Sequence, residues 1–181
     1  MKGIAFIGMM GSGKTTISQK LAKDLALTYY SIDQEIEKLF NMSIPSIFSI
    51  HGEAEFRKSE TEMIKRLVQK HDVIIDCGGG VILNEENINI LKENGFKVIF
   101  LNRELEDILK DIDYETRPLL KDNHDHIYKI YNERIELYLN SADIIINNSG
   151  SLKKQYEAIL REIRFLSNFK ASRLEVSEVA I

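Results

Sequence analysis

Residues 8–16 read GMMGSGKTT and follow directly on the apolar run KGIAFI at 2–7. Gly8, Gly13, Lys14 and Thr15 fulfil the pattern G-x-x-x-x-G-K-[ST], with a strand-like run before it and the helical period of ISQKLAKDLA, 17–26, after it. The glycines allow a backbone path that turns successive N–H groups inward, and a helix starting there adds partial positive charge. Such a loop holds phosphates: Lys14 would reach the β- and γ-phosphates of a nucleotide, and Thr15 would offer its hydroxyl to Mg2+. The loop alone does not name the acceptor, because many unrelated activities use it.

Outward from the loop, apolar runs of strand length alternate with helical periods. TYYSI precedes DQEIEKLF and a longer helical stretch, DVIIDC precedes EENINILKENG, KVIFLN precedes RELEDILKDI, and DIIIN precedes SLKKQYEAILREIRFL. Five short β runs, each followed by helix, predict an α/β fold with a parallel sheet and helices on both faces. The runs VIID, KVIF and DIII lack polar alternation, as strands covered on both sides do. Ser43, before a turn containing Pro45, and Asn84 are expected N-caps, and Gly95 is an expected helix stop. Phe56, Met63, Ile64, Leu67 and Val68 fall on one helical face, with Arg57 beside it. Residues 112–126, IDYETRPLLKDNHDH, break the period around Pro118 and read as a surface loop with Arg117 near its middle. From about residue 167 no clear period survives, and a frayed tail is expected over 167–181.

A chain of 181 residues, 44% hydrophobic, has apolar material for one core, and a single domain is expected. With 28 acidic against 24 basic side chains there is no sequence-wide positive field, so neither nucleic acid nor an anionic membrane is an expected partner. The single Cys77 cannot form an internal disulfide, glycines and Lys14 interrupt any signal-peptide pattern, and no apolar run reaches membrane-spanning length. These features predict a soluble, cytoplasmic protein.

Open parallel sheets bind ligands outside the carboxyl ends of their strands, so functional side chains should follow each β run. Asp33 follows the second run in SIDQEIE, and Gly78, Gly79 and Gly80 follow the third in CGGGV. Taken singly, Asp33 also suits a helix N-cap, the glycines a tight turn, and Arg57 and Arg134 solvated or i,i+4-paired surface positions. Together they suit a small polyhydroxylated acid: guanidinium groups grip a carboxylate, Asp33 accepts from hydroxyls, and bare glycine backbone lies against the ligand. The four histidines have no metal-ligand spacing with Cys77, and His124 and His126 read as loop residues.

With these residues in place, the chain resembles the shikimate kinase family over about residues 1–165. The segments that carry the likeness are GMMGSGKTT, SIDQEIE, SIPSIFSIHGEAEFRKSE, CGGGV, RPLL at 117–120 and ERIELY with Arg134. The resemblance implies a P-loop NTPase fold of nucleoside monophosphate kinase type, three layers α/β/α, with a five-stranded parallel sheet in the order 2-3-1-4-5. It implies transfer of the ATP γ-phosphoryl group to the 3-hydroxyl of shikimate by a monomeric enzyme that uses Mg2+. A single kinase domain would cover 1–166, with substrate-binding helices at about 33–62 and a lid loop at about 112–124, mobile alone and ordered with both substrates. Gly11, Ser12, Gly13, Lys14, Thr15, Thr16, Lys110 and Arg117 would contact the nucleotide, with Asn147 and Asn148 bordering the base. Asp33, Arg57, Gly78, Gly79, Gly80 and Arg134 would contact shikimate, and Lys14, Asp33 and Arg117 would be catalytic.

One departure stands out. The family usually carries Asp-x-Asp after the second strand, and here Ser31 takes the first aspartate's place. Asp76, at a Walker-B-like position closing VIID, is expected to supply the missing carboxylate beside Thr15, so Thr15 and Asp76 form the metal set. Two rival readings remain: a kinase of the same architecture acting on gluconate or a nucleotide, and a nucleotide-binding module that regulates a partner.

Overall fold

The β runs are short and rich in apolar and β-branched residues, which suits them to buried strands, and the backbone places five of them in one parallel sheet. The computed structural model describes residues 2–111, 124–147 and 152–166. The elements are β1 (Gly3–Ile7), α1 (Lys14–Asp24), β2 (Thr28–Ser31), α2 (Ile32–Phe40), α3 (Ile44–Leu67), β3 (Val73–Asp76), a 3-10 turn (Val81–Leu83) and α4 (Glu85–Glu93). They continue with β4 (Phe96–Asn102), α5 (Leu105–Asp111), α6 (His124–Ser141), β5 (Ile144–Asn147) and α7 (Leu152–Leu166). The strand order is β2-β3-β1-β4-β5, as the resemblance implies.

Alternation along each strand divides the core in two. Ala5, Ile7, Val73, Ile75, Val98 and Phe100 face a layer that includes Ile36, Phe56, Ile64, Leu91 and Tyr138. Ile4, Phe6, Ile74, Ile99 and Leu101 face Ile17 and Leu21 of α1 and Ile159 and Ile163 of α7. The three layers leave the carboxyl ends of the strands at one rim, where the phosphate loop and the glycine turn both sit.

The predicted helix signals hold where they are described. Asn84 caps α4 by accepting from Glu86 N at 3.1 Å, and Gly95 follows that helix with φ +80°. Phe56, Met63, Ile64, Leu67 and Val68 are all buried. Ser43 stands at the N-cap of α3 without a side-chain cap bond, and Pro45 lies inside the first turn of that helix. Helix α3 bends at Gly52, where φ is 81° and ψ 166°.

Three expectations need correction. Residues 124–126 open α6 rather than close a loop, so the expected lid span loses His124, and His124 and His126 lie on helical backbone. The run DIII is not covered on both sides: β5 is an edge strand, and Ile145 is 46% exposed while Ile146 is buried. Asp33 is not an N-cap but the second residue of α2; Ser31 is the cap, accepting from Gln34 N at 3.4 Å. Arg117, Asn148, residues 112–123 of the expected lid and the tail 167–181 lie outside the described residues.

Candidate active site

The phosphate loop owes its shape to Gly13, which takes φ 87° at the N-cap position of α1, a conformation that costs any other L-residue energy. Ser12 N donates to Met9 O at 3.2 Å, and Ile17 N to Gly13 O at 3.1 Å, so the loop runs straight into the helix. Lys14 is buried, and its Nζ donates to Gly8 O at 2.9 Å and Met9 O at 3.0 Å. The ammonium is therefore held inside its own loop by carbonyls that a phosphate oxygen can replace. Arg103, just after β4, donates from Nη1 to Gly11 O at 2.9 Å and ties the loop to the rim of the sheet.

The glycine turn after β3 is where the remaining predicted groups meet. A Cβ on Gly78 would press within 2.5 Å of Asp33 Oδ1 and 3.1 Å of Glu60 Oε1, and one on Gly80 would overlap the Arg57 guanidinium. Arg134 Nη1 and Tyr138 Oη both donate to Gly79 O, at 3.1 and 2.5 Å. At Gly79 a Cβ would find only ordinary contacts, 3.6 Å from Tyr138 Oη and 3.8 Å from Met10 N of the phosphate loop. No described protein atom demands glycine at 79; its bare backbone instead lines a cleft of about 390 Å3 shared with Lys14, Thr15, Ser31, Asp33 and Asp76. Neither arginine lines that cleft, and each meets the glycine turn at its wall.

Charge is arranged tightly around this turn. Arg57 donates from Nη1 to Glu60 Oε2 at 2.5 Å and from Nη2 to Glu53 Oε1 at 3.0 Å, and its guanidinium lies 5.3 Å from the Phe56 ring centroid. The i,i+4 pairing with Glu53 and the place beside the glycines thus both hold. Glu60 is fully buried, and its Oε1 takes no hydrogen bond among the described residues. Burial raises its carboxyl pKa, against the pull of Arg57. Burial also raises that of Asp33, helped by the charge of Asp76 and opposed by Lys14. The phenol of Tyr138, stacked on Phe100 with ring centroids 5.0 Å apart, is pushed by burial up to about 12, so it stays a donor.

Thr15 Oγ1 donates to Asp76 Oδ2 at 2.7 Å, which brings the expected metal pair into contact. The donor set suits a small hard cation: with its proton on Asp76, the Thr15 oxygen keeps lone pairs for a metal. No cluster of three or more His, Cys, Asp or Glu forms a metal site among the described residues, so a cation here would draw its other ligands from phosphate and water. Lys110 is exposed on α5 and paired with Asp107 at 2.8 Å. Asn147 Oδ1 accepts from Asn102 Nδ2 at 3.1 Å across the β4–β5 rim.

Sequence reasoning misses three residues at the site: Glu60, Tyr138 and Tyr29, whose hydroxyl reaches Asp76. Glu60 has a signal, since it shares the buried helical face of Phe56, Met63, Ile64 and Leu67 and stands three residues after Arg57. Tyr138 stands four residues after Arg134 on α6, but nothing local distinguishes it from a core aromatic.

Comparison with known proteins supplies a family. A family model for shikimate kinase matches residues 10–164. The chain is 43% identical over 149 residues to a shikimate kinase of Clostridium beijerinckii, covering 82% of this chain and 87% of that one. It is 45% identical over 150 residues to a shikimate kinase of Caldicellulosiruptor bescii, covering 81% and 86%. Its fold matches the solved shikimate kinase of Acinetobacter baumannii in complex with shikimate at a TM-score of 0.82, with 31% identity over 91% of this chain and 94% of that one.

Proposed function

The chain belongs to the shikimate kinase family, and we propose on that premise that it transfers the γ-phosphoryl group of ATP to the 3-hydroxyl of shikimate. The products are ADP and shikimate 3-phosphate, a step towards chorismate and the aromatic amino acids. The observation that carries this reading is the glycine turn: within three residues it meets Asp33, Arg134 and Arg57, and through Gly79 it faces the phosphate loop.

In this reading Arg57 and Arg134 take the shikimate carboxylate, the backbone of Gly78, Gly79 and Gly80 lies against the ring, and Asp33 accepts from its hydroxyls. On the nucleotide side, Lys14 exchanges its loop carbonyls for β- and γ-phosphate oxygens, the N–H groups of Gly11 to Thr16 surround the phosphates, and Lys110 lies near the base. The 3-hydroxyl oxygen bonds to the γ-phosphorus as the bond to the β–γ bridging oxygen breaks, and that electron pair leaves with ADP. The hydroxyl proton passes to Asp33, whose raised pKa makes it a better acceptor than an exposed aspartate. Arg117 brings positive charge to the transferring group from the lid at about 112–124. Mg2+, held by Thr15 and Asp76, supplies further charge neutralisation on the phosphates. Placement and charge are most of what phosphoryl transfer asks of a protein.

One kinase domain over 1–166 does this as a cytoplasmic monomer, followed by a C-terminal tail at 167–181. No helix of the described residues is long and apolar enough to cross a membrane. A coupled assay with ATP, Mg2+ and a panel of shikimate, gluconate and nucleoside monophosphates tests the reading. Turnover with shikimate alone supports it; preference for another acceptor moves the chain to the rival kinase reading, and nucleotide binding without turnover to the regulatory one.

A further inference from the structure

Asp76 closes β3 among residues that are otherwise apolar, and it is 5% exposed. While Thr15 reaches it from the phosphate loop, a second donor comes from the neighbouring strand β2. Tyr29 Oη donates to Asp76 Oδ2 at 3.1 Å, the same oxygen that accepts from Thr15 at 2.7 Å. Asp76 also lines the cleft. Two donors on one oxygen oppose rotation of the carboxylate, which otherwise has a broad terminal torsion.

The sheet register explains the geometry. Ser31 stands opposite Asp76 and Tyr29 opposite Ile74, so Tyr29, Ser31 and Asp76 share one face, and the long phenol reaches two residues forward along the sheet. Neighbouring strands lie about 4.8 Å apart, so carboxylates at both 31 and 76 would repel across one rung. Here the acid stands on β3, while Ser31 uses its hydroxyl to cap α2.

We propose that Tyr29 is a positioning residue for the metal–nucleotide complex: by fixing the Asp76 carboxylate beside Thr15 it sets the affinity for the divalent cation. The inference rests on the assignment of Asp76 to the metal set. Tyr29 does not line the cleft, and its effect passes through Asp76.

The test is Mn2+ binding to the full chain with ADP, followed by electron paramagnetic resonance, without turnover. Tyr29→Phe keeps the ring and removes only the donor; it should weaken Mn2+ binding about 3- to 10-fold and leave shikimate affinity unchanged, which also shows that the fold is intact. Asp76→Asn should weaken it by about 10-fold or more, and adding Tyr29→Phe to Asp76→Asn should cost nothing further. Unchanged Mn2+ affinity in Tyr29→Phe, with Asp76→Asn weakened, overturns the role of Tyr29 and leaves the metal assignment standing. Unchanged affinity in Asp76→Asn overturns both.

Discussion

At Asp33 stability and function pull against each other. Burial and Asp76 raise its pKa, so the native state holds its proton more tightly than the unfolded chain does. By linkage, the stability this group contributes is present below its ordinary value of 3.8 and is lost as pH rises through the native value. Asp33→Asn removes that loss: its Tm relative to the parent should rise as pH climbs above 3.8, while kcat falls about 10²-fold or more. A Tm difference that is flat with pH would contradict the burial argument. At Asp76 the expectation is separate: Asp76→Asn should sharply raise the Mg2+ concentration needed for half-maximal turnover and leave shikimate KM nearly unchanged, and an unaltered Mg2+ titration would remove Asp76 from the metal set. Single residues are legible in the sequence where chemistry is carried by a local motif, as at Lys14 and Thr15. Tyr29 is not, because its partner is 47 residues away and the contact depends on which strands pair and in what register.

Among the elements, the turn after β3 matters most, and it is held from three sides. Tyr138 and Arg134 of α6 bind Gly79 O, Arg57 of α3 packs on Gly80, and a buried polar network anchors the 3-10 turn that begins at Val81. In that network Thr61 Oγ1 donates to Asn87 Oδ1 at 2.7 Å and Asn87 Nδ2 to Val81 O at 3.0 Å. Tyr138→Phe deletes one of the two donors to Gly79 O and leaves the stack on Phe100. Its expected effect is a rise of about 5-fold in shikimate KM, the worth of one ordinary hydrogen bond, with ATP KM unchanged; steady-state kinetics with each substrate varied checks this, and a change confined to ATP would place Tyr138 on the wrong side of the turn. Strands and helices are plain in the sequence because periodicity is local. Its reading fails at β5, since a run of isoleucines looks alike in an edge strand and a central one, and at 124–126, where helix begins sooner than Pro118 and the mixed charges imply.

Across the whole molecule, phosphate loop, glycine turn and helices α2, α3 and α6 converge on one rim of the sheet although they span residues 8 to 138. That convergence follows from strand order, because β3 lies directly beside β1 and sets the turn after one against the loop after the other. In the proposed mechanism Arg117 completes the charge at the transferring group, so Arg117→Ala should depress kcat about 10³-fold; a loss seen only in shikimate KM would argue against that role. If this is right, the two halves of the cleft serve one reaction. Phosphorus NMR of the enzyme with ATP, Mg2+ and shikimate reads this out: the γ-phosphate signal should give way to a monoester on the 3-hydroxyl of shikimate together with ADP, in equal amounts. ADP with inorganic phosphate alone, or a monoester at a different hydroxyl, would contradict it.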